Sequence, residues 1–259
     1  ATLDGVRQIV TVDEAAVSGH DPADGRRLWT FPRPGSSSGD ANTSQPQLID
    51  VNSLLVTKGY GAGAERIAVA RDEAGTWTAT STWNNPRALR TKLTSAVIVH
   101  GYGYGLSDGI LECVALDDGS SQWRKGRMGH GQVLAVDDDL IVLSESGELF
   151  RVAADPESYR PSEPTDALSG ICWNTICLYG DLLLVRNNRE AACFRIRLRP
   201  RTSQNGEPPA AGAPGTGRMG ISQVTIPERR RIADQEAETQ EETTTALSDE
   251  EGQEDEEQD

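Results

Sequence analysis

The sequence predicts an all-β fold, a β-propeller of four-stranded antiparallel blades. About four or five blades are present, and a disordered acidic tail follows them. Three observations predict this fold: a blade-sized internal repeat, the scarcity of helical periodicity in residues 1–200, and a change of composition after Pro200. A chain of 259 residues is also long enough to bury a sizeable core.

The repeat consists of a short apolar strand, a turn, a second apolar strand, a polar or Gly turn and a third strand. Copies begin at Pro46, Ser95, Gly131 and Asn174. Their second strands are predicted to begin at Leu54, Tyr102, Leu140 and Leu182, at spacings of 48, 38 and 42 residues. A period of this length with four strands is typical of a propeller blade. The stretch from Gln8 to Val17 is interpreted as the remainder of another copy.

The fourth strand of a copy is predicted after an Asp-Gly turn, with Trp four residues beyond the Gly. Asp24-Gly25 precedes Trp29 and Asp118-Gly119 precedes Trp123, while Gly75 and Trp77 form a looser version. Strands of Val, Ile, Leu, Thr and Tyr bounded by such turns predict a β-rich domain. The Trp side chains are expected to fill the wedge between neighbouring twisted sheets.

The Asp-Gly turns and the Trp residues that follow them resemble the PQQ-like β-propeller repeat. This repeat occurs in quinoprotein alcohol dehydrogenases and in BamB-like outer-membrane assembly scaffolds. The resemblance covers roughly residues 1–200 and suggests an N-terminally truncated member, because such families usually close rings of more blades. It implies a non-catalytic binding or scaffold module, bacterial and periplasmic or otherwise extracytoplasmic, that needs no cofactor.

The resemblance leaves one alternative open, a quinoprotein oxidoreductase that depends on PQQ and calcium. The dehydrogenases of the family carry a disulfide between adjacent cysteines that packs on the quinone. The cysteines of this chain are Cys113, Cys172, Cys177 and Cys193, so no adjacent pair exists. They are interpreted as small side chains within sheets rather than as disulfide partners. No metal site is predicted, since no His or Cys pair has ligand spacing.

Candidate binding residues come from the starts of the first strands, which line the central channel of a propeller. These positions are Ser44, Gln45, Thr94, Ser95, His130, Gln132, Asn174 and Thr175. They predict either a funnel for a protein or small-molecule ligand or a ring of structural hydrogen bonds between blades. The loops from Trp83 to Pro86 and from Ser169 to Trp173 are further candidates, although Trp173 is equally consistent with an inter-blade core position.

Composition divides the chain at Pro200. Residues 201–259 are predicted to be a Pro/Gly linker and a disordered tail, and residues 234–259 hold 13 acidic residues without Lys or Arg. Of the net charge of −15, only −2 remains for residues 1–233. A nucleic-acid partner is therefore excluded, because phosphate binding needs clustered cations. No apolar run has the length of a membrane span, so no transmembrane segment is predicted.

Overall fold

The computed structural model describes residues 1–34, 41–200 and 217–221, of which 197–200 and 217–221 are described in backbone only. The described strands form six antiparallel sheets, and no described residue is helical. No helix in this part of the chain could therefore cross a membrane. The all-β fold class is confirmed.

Five of the sheets are propeller blades, and a short hairpin precedes them. The hairpin pairs β1 (Thr2–Leu3) with β2 (Val6–Arg7). Blade 1 has three strands, β3 (Ile9–Val12), β4 (Ala16–His20) and β5 (Arg27–Pro32). Blade 2 contains β6 (Gln47–Asp50), β7 (Ser53–Lys58), β8 (Gly63–Arg71) and β9 (Trp77–Asn85). Blade 3 contains β10 (Val97–Val99), β11 (Tyr102–Ser107), β12 (Ile110–Ala115) and β13 (Ser121–Arg127).

Blades 4 and 5 repeat the four-stranded pattern. Blade 4 contains β14 (Gln132–Val136), β15 (Asp139–Leu143), β16 (Glu148–Ala153) and β17 (Thr165–Asp166). Blade 5 contains β18 (Cys177–Tyr179), β19 (Leu182–Arg186), β20 (Ala191–Pro200) and β21 (Gly217–Ile221). The predicted boundary at Pro200 thus coincides with the end of β20, whose partner β21 lies within the segment predicted to be linker and tail. Residues 201–216 and 222–259 lie outside the described residues.

Two of the predicted strand starts are one residue late. Two-residue turns join the first and second strands, so the second strands begin at Ser53, Tyr102, Asp139 and Leu182. A shift of one residue exchanges the two faces of a strand. The four residues predicted to begin second strands are therefore not equivalent. Leu54 and Leu140 face the preceding blade, whereas Tyr102 and Leu182 face away from it.

Buried apolar clusters join each blade to the next. The cluster between blades 1 and 2 contains Val17 and Ile67, and the cluster between blades 2 and 3 contains Leu55 and Val114. Two larger clusters join blade 3 to blade 4 and blade 4 to blade 5. The middle strands of blades 2 to 4 are thus covered on both faces. Such burial is worth about 1.5–3 kcal/mol for each large side chain.

The Trp residues also tie neighbouring blades together by hydrogen bonds. Trp123 Nε1 donates to the carbonyl of Asp155 at 2.8 Å, and Trp83 Nε1 donates to that of Leu116 at 2.8 Å. Trp83, rather than Trp77, therefore occupies the repeat position in blade 2. Gly119 has φ of 74°, and a Cβ there would lie 2.6 Å from the Trp83 ring, so this turn requires glycine.

Candidate functional site

The first strands lie side by side along the inner edge of the array, because β10 contacts both β6 and β14. Successive strands of a blade are antiparallel, so the blade-to-blade connections and the turns between second and third strands lie at one end. We call this end the connection mouth. The other two turns of each blade lie at the opposite mouth.

A buried group of hydroxyls lies at the connection mouth between blades 2 and 3. Ser44 Oγ lies 2.6 Å from Thr91 Oγ1 and donates to the carbonyl of Thr94 at 2.7 Å. Thr57 Oγ1 lies 2.8 Å from Thr91 Oγ1. Beside them, the backbone N–H of Gln45 donates to Ser95 Oγ at 3.0 Å. Ser44, Gln45, Thr94 and Ser95 are therefore brought together, and their contacts join one blade to the next.

Gln132 spans the connection mouth from the start of β14. Its Nε2 donates to the carbonyl of Leu93 at 2.7 Å and to that of Trp173 at 3.0 Å. Leu93 belongs to the connection into blade 3, and Trp173 to the connection into blade 5. One buried amide thus fixes the backbone on both sides of blade 4.

The carboxylate of Glu145 accepts hydrogen bonds from two residues that lie nearby in the fold, His130 and Trp173. Its Oε2 accepts from the His130 amide at 3.0 Å, and its Oε1 accepts from Trp173 Nε1 at 2.8 Å. Desolvation opposes ionisation of Glu145, but these two hydrogen bonds outweigh it and lower the pKa of the carboxyl below its ordinary value. The indole of Trp173 is fixed in this way although the residue is 48% exposed.

A second exposed aromatic residue lies at the same mouth in blade 2. Tyr60 occupies the turn before β8 with φ of 56°, and Lys92 Nζ lies 5.0 Å from its ring centroid. Asp108 in turn pairs with Lys92 Nζ at 3.3 Å and with Arg90 Nε at 3.0 Å. A cation held over an aromatic ring contributes about 0.5–1 kcal/mol at an exposed site. The Tyr60 ring is thus anchored as well.

The remaining predicted residues lie close to Trp173. Asn174 is half-buried and Thr175 is exposed. Among the described residues, the buried polar atoms at this mouth that have no hydrogen-bond partner include Thr94 Oγ1, His130 Nδ1, Arg33 Nη1 and Lys58 Nζ. Buried groups of this kind are normally satisfied by water or by a ligand.

Sequence reasoning missed Glu145, Tyr60 and Lys92. The prediction considered the starts of first strands and two connecting loops, whereas Glu145 and Tyr60 occupy turns between second and third strands. Alternation of strand direction puts those turns at the same mouth, so the repeat alignment contained the signal. The loop from Trp83 to Pro86 is not an exposed aromatic loop, because Trp83 lies within β9 and packs against Leu116 and its neighbours.

The opposite mouth contains an open pocket of about 730 Å³ between blades 3 and 4. Its charged side chains are paired: His100 Nε2 lies 2.6 Å from Asp138 Oδ1, and Arg151 Nε lies 2.9 Å from Asp139 Oδ2. Arg160 pairs with Asp155 in the same pocket. Each of these three carboxylates faces a basic side chain, so none of them is left free to bind a cation.

The cysteines do not fit a quinone site of the type that the resemblance describes. All four are free thiols, and Cys172 is buried whereas Cys177 is exposed. The register places Cys113, Arg151 and Cys193 at equivalent positions of successive blades. Within the described residues, no cluster of three or more His, Cys, Asp or Glu side chains has the geometry of a metal site.

Stacked four-stranded sheets with converging first strands define this chain as an all-β protein of the β-propeller class. No protein-family model matches it, and no curated protein matches it in sequence. Solved structures do match. A functionally unknown protein from Desulfotomaculum acetoxidans has a TM-score of 0.52 at 13% identity, and the match covers 85% of this chain and 73% of that protein's chain. This likeness shows the fold alone.

Two further solved structures resemble the chain over a smaller part of their own length. BamB from Moraxella catarrhalis has a TM-score of 0.45 at 11% identity and covers 72% of this chain. The computationally designed Ika8 protein has a TM-score of 0.49 at 8% identity and covers 70% of it. The chain spans 65% of the BamB chain and 53% of the Ika8 chain.

Proposed function

We propose that this chain is a non-catalytic propeller scaffold, built from PQQ-like repeats, that binds a protein partner at its connection mouth. The observation that carries the proposal is a pair of exposed aromatic side chains, Trp173 and Tyr60, that are each held in place by a charged neighbour. Exposed aromatic residues that are already fixed lose little entropy on binding and are frequent hot spots of protein interfaces.

The repeat signature around Trp29 and Trp123 supports the assignment to PQQ-like repeats, and with it an extracytoplasmic location. Most of the predicted channel residues bond to neighbouring connections, so they build the frame of the mouth. The exposed aromatic residues on that frame are then the contact surface. This arrangement needs neither PQQ nor calcium.

A peptide-library selection on the full chain tests the proposal. Peptides enriched on the wild-type protein should bind the Trp173→Ala variant about 30-fold more weakly, the loss of about 2 kcal/mol expected at a hot spot. The matched control is His100→Ala, which removes an exposed ring at the opposite mouth and should bind the peptides normally. Enriched peptides that bind Trp173→Ala and the wild type equally well would overturn the proposal.

A thermal melt with PQQ and calcium separates the scaffold from the quinoprotein alternative. A ligand that binds the native state raises the melting temperature by mass action. We expect no shift for this chain. A clear rise would favour the oxidoreductase.

A further inference from the structure

Two buried cations lie between blades 1 and 2 at the connection mouth. Arg33 follows β5, and its side chain reaches across to blade 2. There its Nη2 donates to the carbonyl of Gly63 at 2.9 Å, and its Nε lies 3.2 Å from Glu65 Oε2. Lys58 is the last residue of β7. Arg33 is 7% exposed and Lys58 is 2% exposed, so both charges are withdrawn from bulk water.

The strand register directs the Lys58 side chain into the same interface. Side chains alternate along a strand, so Lys58 lies on the face of β7 that carries Val56. Val56 belongs to the apolar cluster that joins blade 1 to blade 2. Glu65 is the register partner of Val56 and lies on this face too, while Lys58 itself pairs with Gly63, whose carbonyl binds Arg33. Lys58, Glu65 and Arg33 therefore share one interface.

The charges of this group do not balance. Its one carboxylate, Glu65, is already engaged by Arg33. The carboxylate of Asp13, in the neighbouring turn of blade 1, accepts from backbone N–H groups of its own turn instead. Among the described residues, neither Lys58 Nζ nor Arg33 Nη1 has a hydrogen-bond partner, and no carboxylate forms an ion pair with Lys58. Within this part of the chain, two buried cations thus share one carboxylate, and one positive charge is left over.

The leftover charge identifies the kind of ligand that this interface would take. A buried charge is strongly unfavourable unless an opposite charge pairs with it. Water can accept from the N–H groups of Lys58 and Arg33, but it does not neutralise them. We propose that a small inorganic anion, of the size of chloride, binds in this interface and accepts hydrogen bonds from Lys58 Nζ and Arg33 Nη1. Because both nitrogens are buried, a small free anion fits this site better than a carboxylate attached to a partner chain.

Thermal melts of the full chain in sodium chloride and in sodium gluconate, at equal ionic strength, test the proposal. Gluconate is too large for a buried site, so chloride should raise the melting temperature of the wild type by about 2–4 °C, as a ligand well above its dissociation constant does for a chain of this size. Lys58→Met keeps most of the buried stem but removes the charge, so the rise should disappear. The matched control is Lys125→Met in β13, where the lysine is exposed and the rise should persist.

Broadening of the chloride NMR signal by the protein gives a second readout that does not depend on stability. The wild type and Lys125→Met should broaden the signal equally, whereas Lys58→Met should broaden it several-fold less. Equal melting temperatures of the wild type in the two salts, or a chloride effect that persists in Lys58→Met, would overturn the proposal. A chloride effect seen only in Asp40→Asn would do so as well, because the carboxylate of Asp40, in the connection into blade 2, would then be the counter-ion of Lys58.

Discussion

The two mouths of the propeller hold their polar side chains in different ways. At the connection mouth, the buried Ser44 and Gln132 and the half-buried Glu145 bond to backbone or side chains of other blades. At the opposite mouth, Arg160 pairs with Asp155 and His100 with Asp138, largely in contact with solvent. The polar contacts named at the connection mouth are thus mostly shielded from water, whereas these two ion pairs of the opposite mouth are in contact with it. A rigid frame forms where the chain enters each blade, and the exposed aromatic residues lie on that frame.

The largest expected effect comes from the buried ion pair at the connection mouth. Arg33 Nε lies 3.2 Å from Glu65 Oε2, and Arg33 Nη2 donates to the carbonyl of Gly63 at 2.9 Å. Burial lowers the pKa of Arg33, and Glu65 counteracts this shift. Glu65→Ala should lower the free energy of unfolding by about 3–5 kcal/mol, because it leaves a buried charge unpaired. Denaturant unfolding measures the loss.

The control for that variant is Arg160→Ala at the opposite mouth. Its ion pair is exposed, and exposed pairs contribute little to stability. We expect no measurable change in unfolding free energy. Equal losses in the two variants would contradict the contrast between the mouths.

Gln132→Ala is expected to have the next largest effect. It removes two hydrogen bonds and leaves two carbonyl groups without this donor, at a cost of about 1–3 kcal/mol. The exposed Gln122 in β13 is the matched control, and Gln122→Ala should leave the midpoint of urea unfolding unchanged. If Gln132→Ala behaves like its control, the amide does not link the connections.

A smaller effect on stability is expected when the pH is lowered. Hydrogen bonds from His130 and Trp173 lower the pKa of Glu145, so its ionised form stabilises the folded state. This stabilisation is complete above the ordinary carboxyl pKa of about 4.3 and is lost as the pH falls through the lower value of the folded state. The fluorescence difference between the wild type and Trp173→Phe should therefore be constant near neutral pH and change only in acid.

Glu145→Gln provides the control for the acid effect, because an amide cannot titrate. The acid-dependent part of the Trp173 signal should disappear in this variant. If the acid-dependent change in Trp173 fluorescence persists in Glu145→Gln, a group other than Glu145 causes it. At the opposite mouth, His100→Ala should have the smallest effect of all, with the melting temperature unchanged.

Strand composition, turn residues and the repeat period were sufficient to predict the blades, since each blade repeats the same local chemistry. The one-residue errors at Leu54 and Leu140 arose because strands that are buried on both faces show no alternation between apolar and polar residues. The channel positions were predicted from the fold, but their partners were not. Gln132 bonds to Leu93 and Trp173, which are far away in sequence, and no local pattern encodes that pairing.

Hydrogen exchange of the full chain, with and without a peptide enriched on it, tests most directly whether the connection mouth is the binding surface. The account predicts slower exchange in residues 128–132, 144–147 and 170–175, which surround Glu145 and Trp173. The flanks of the pocket at the opposite mouth, residues 99–101 and 154–162, should exchange at the same rate with and without peptide. Protection confined to those flanks, with the surroundings of Trp173 unchanged, would contradict it.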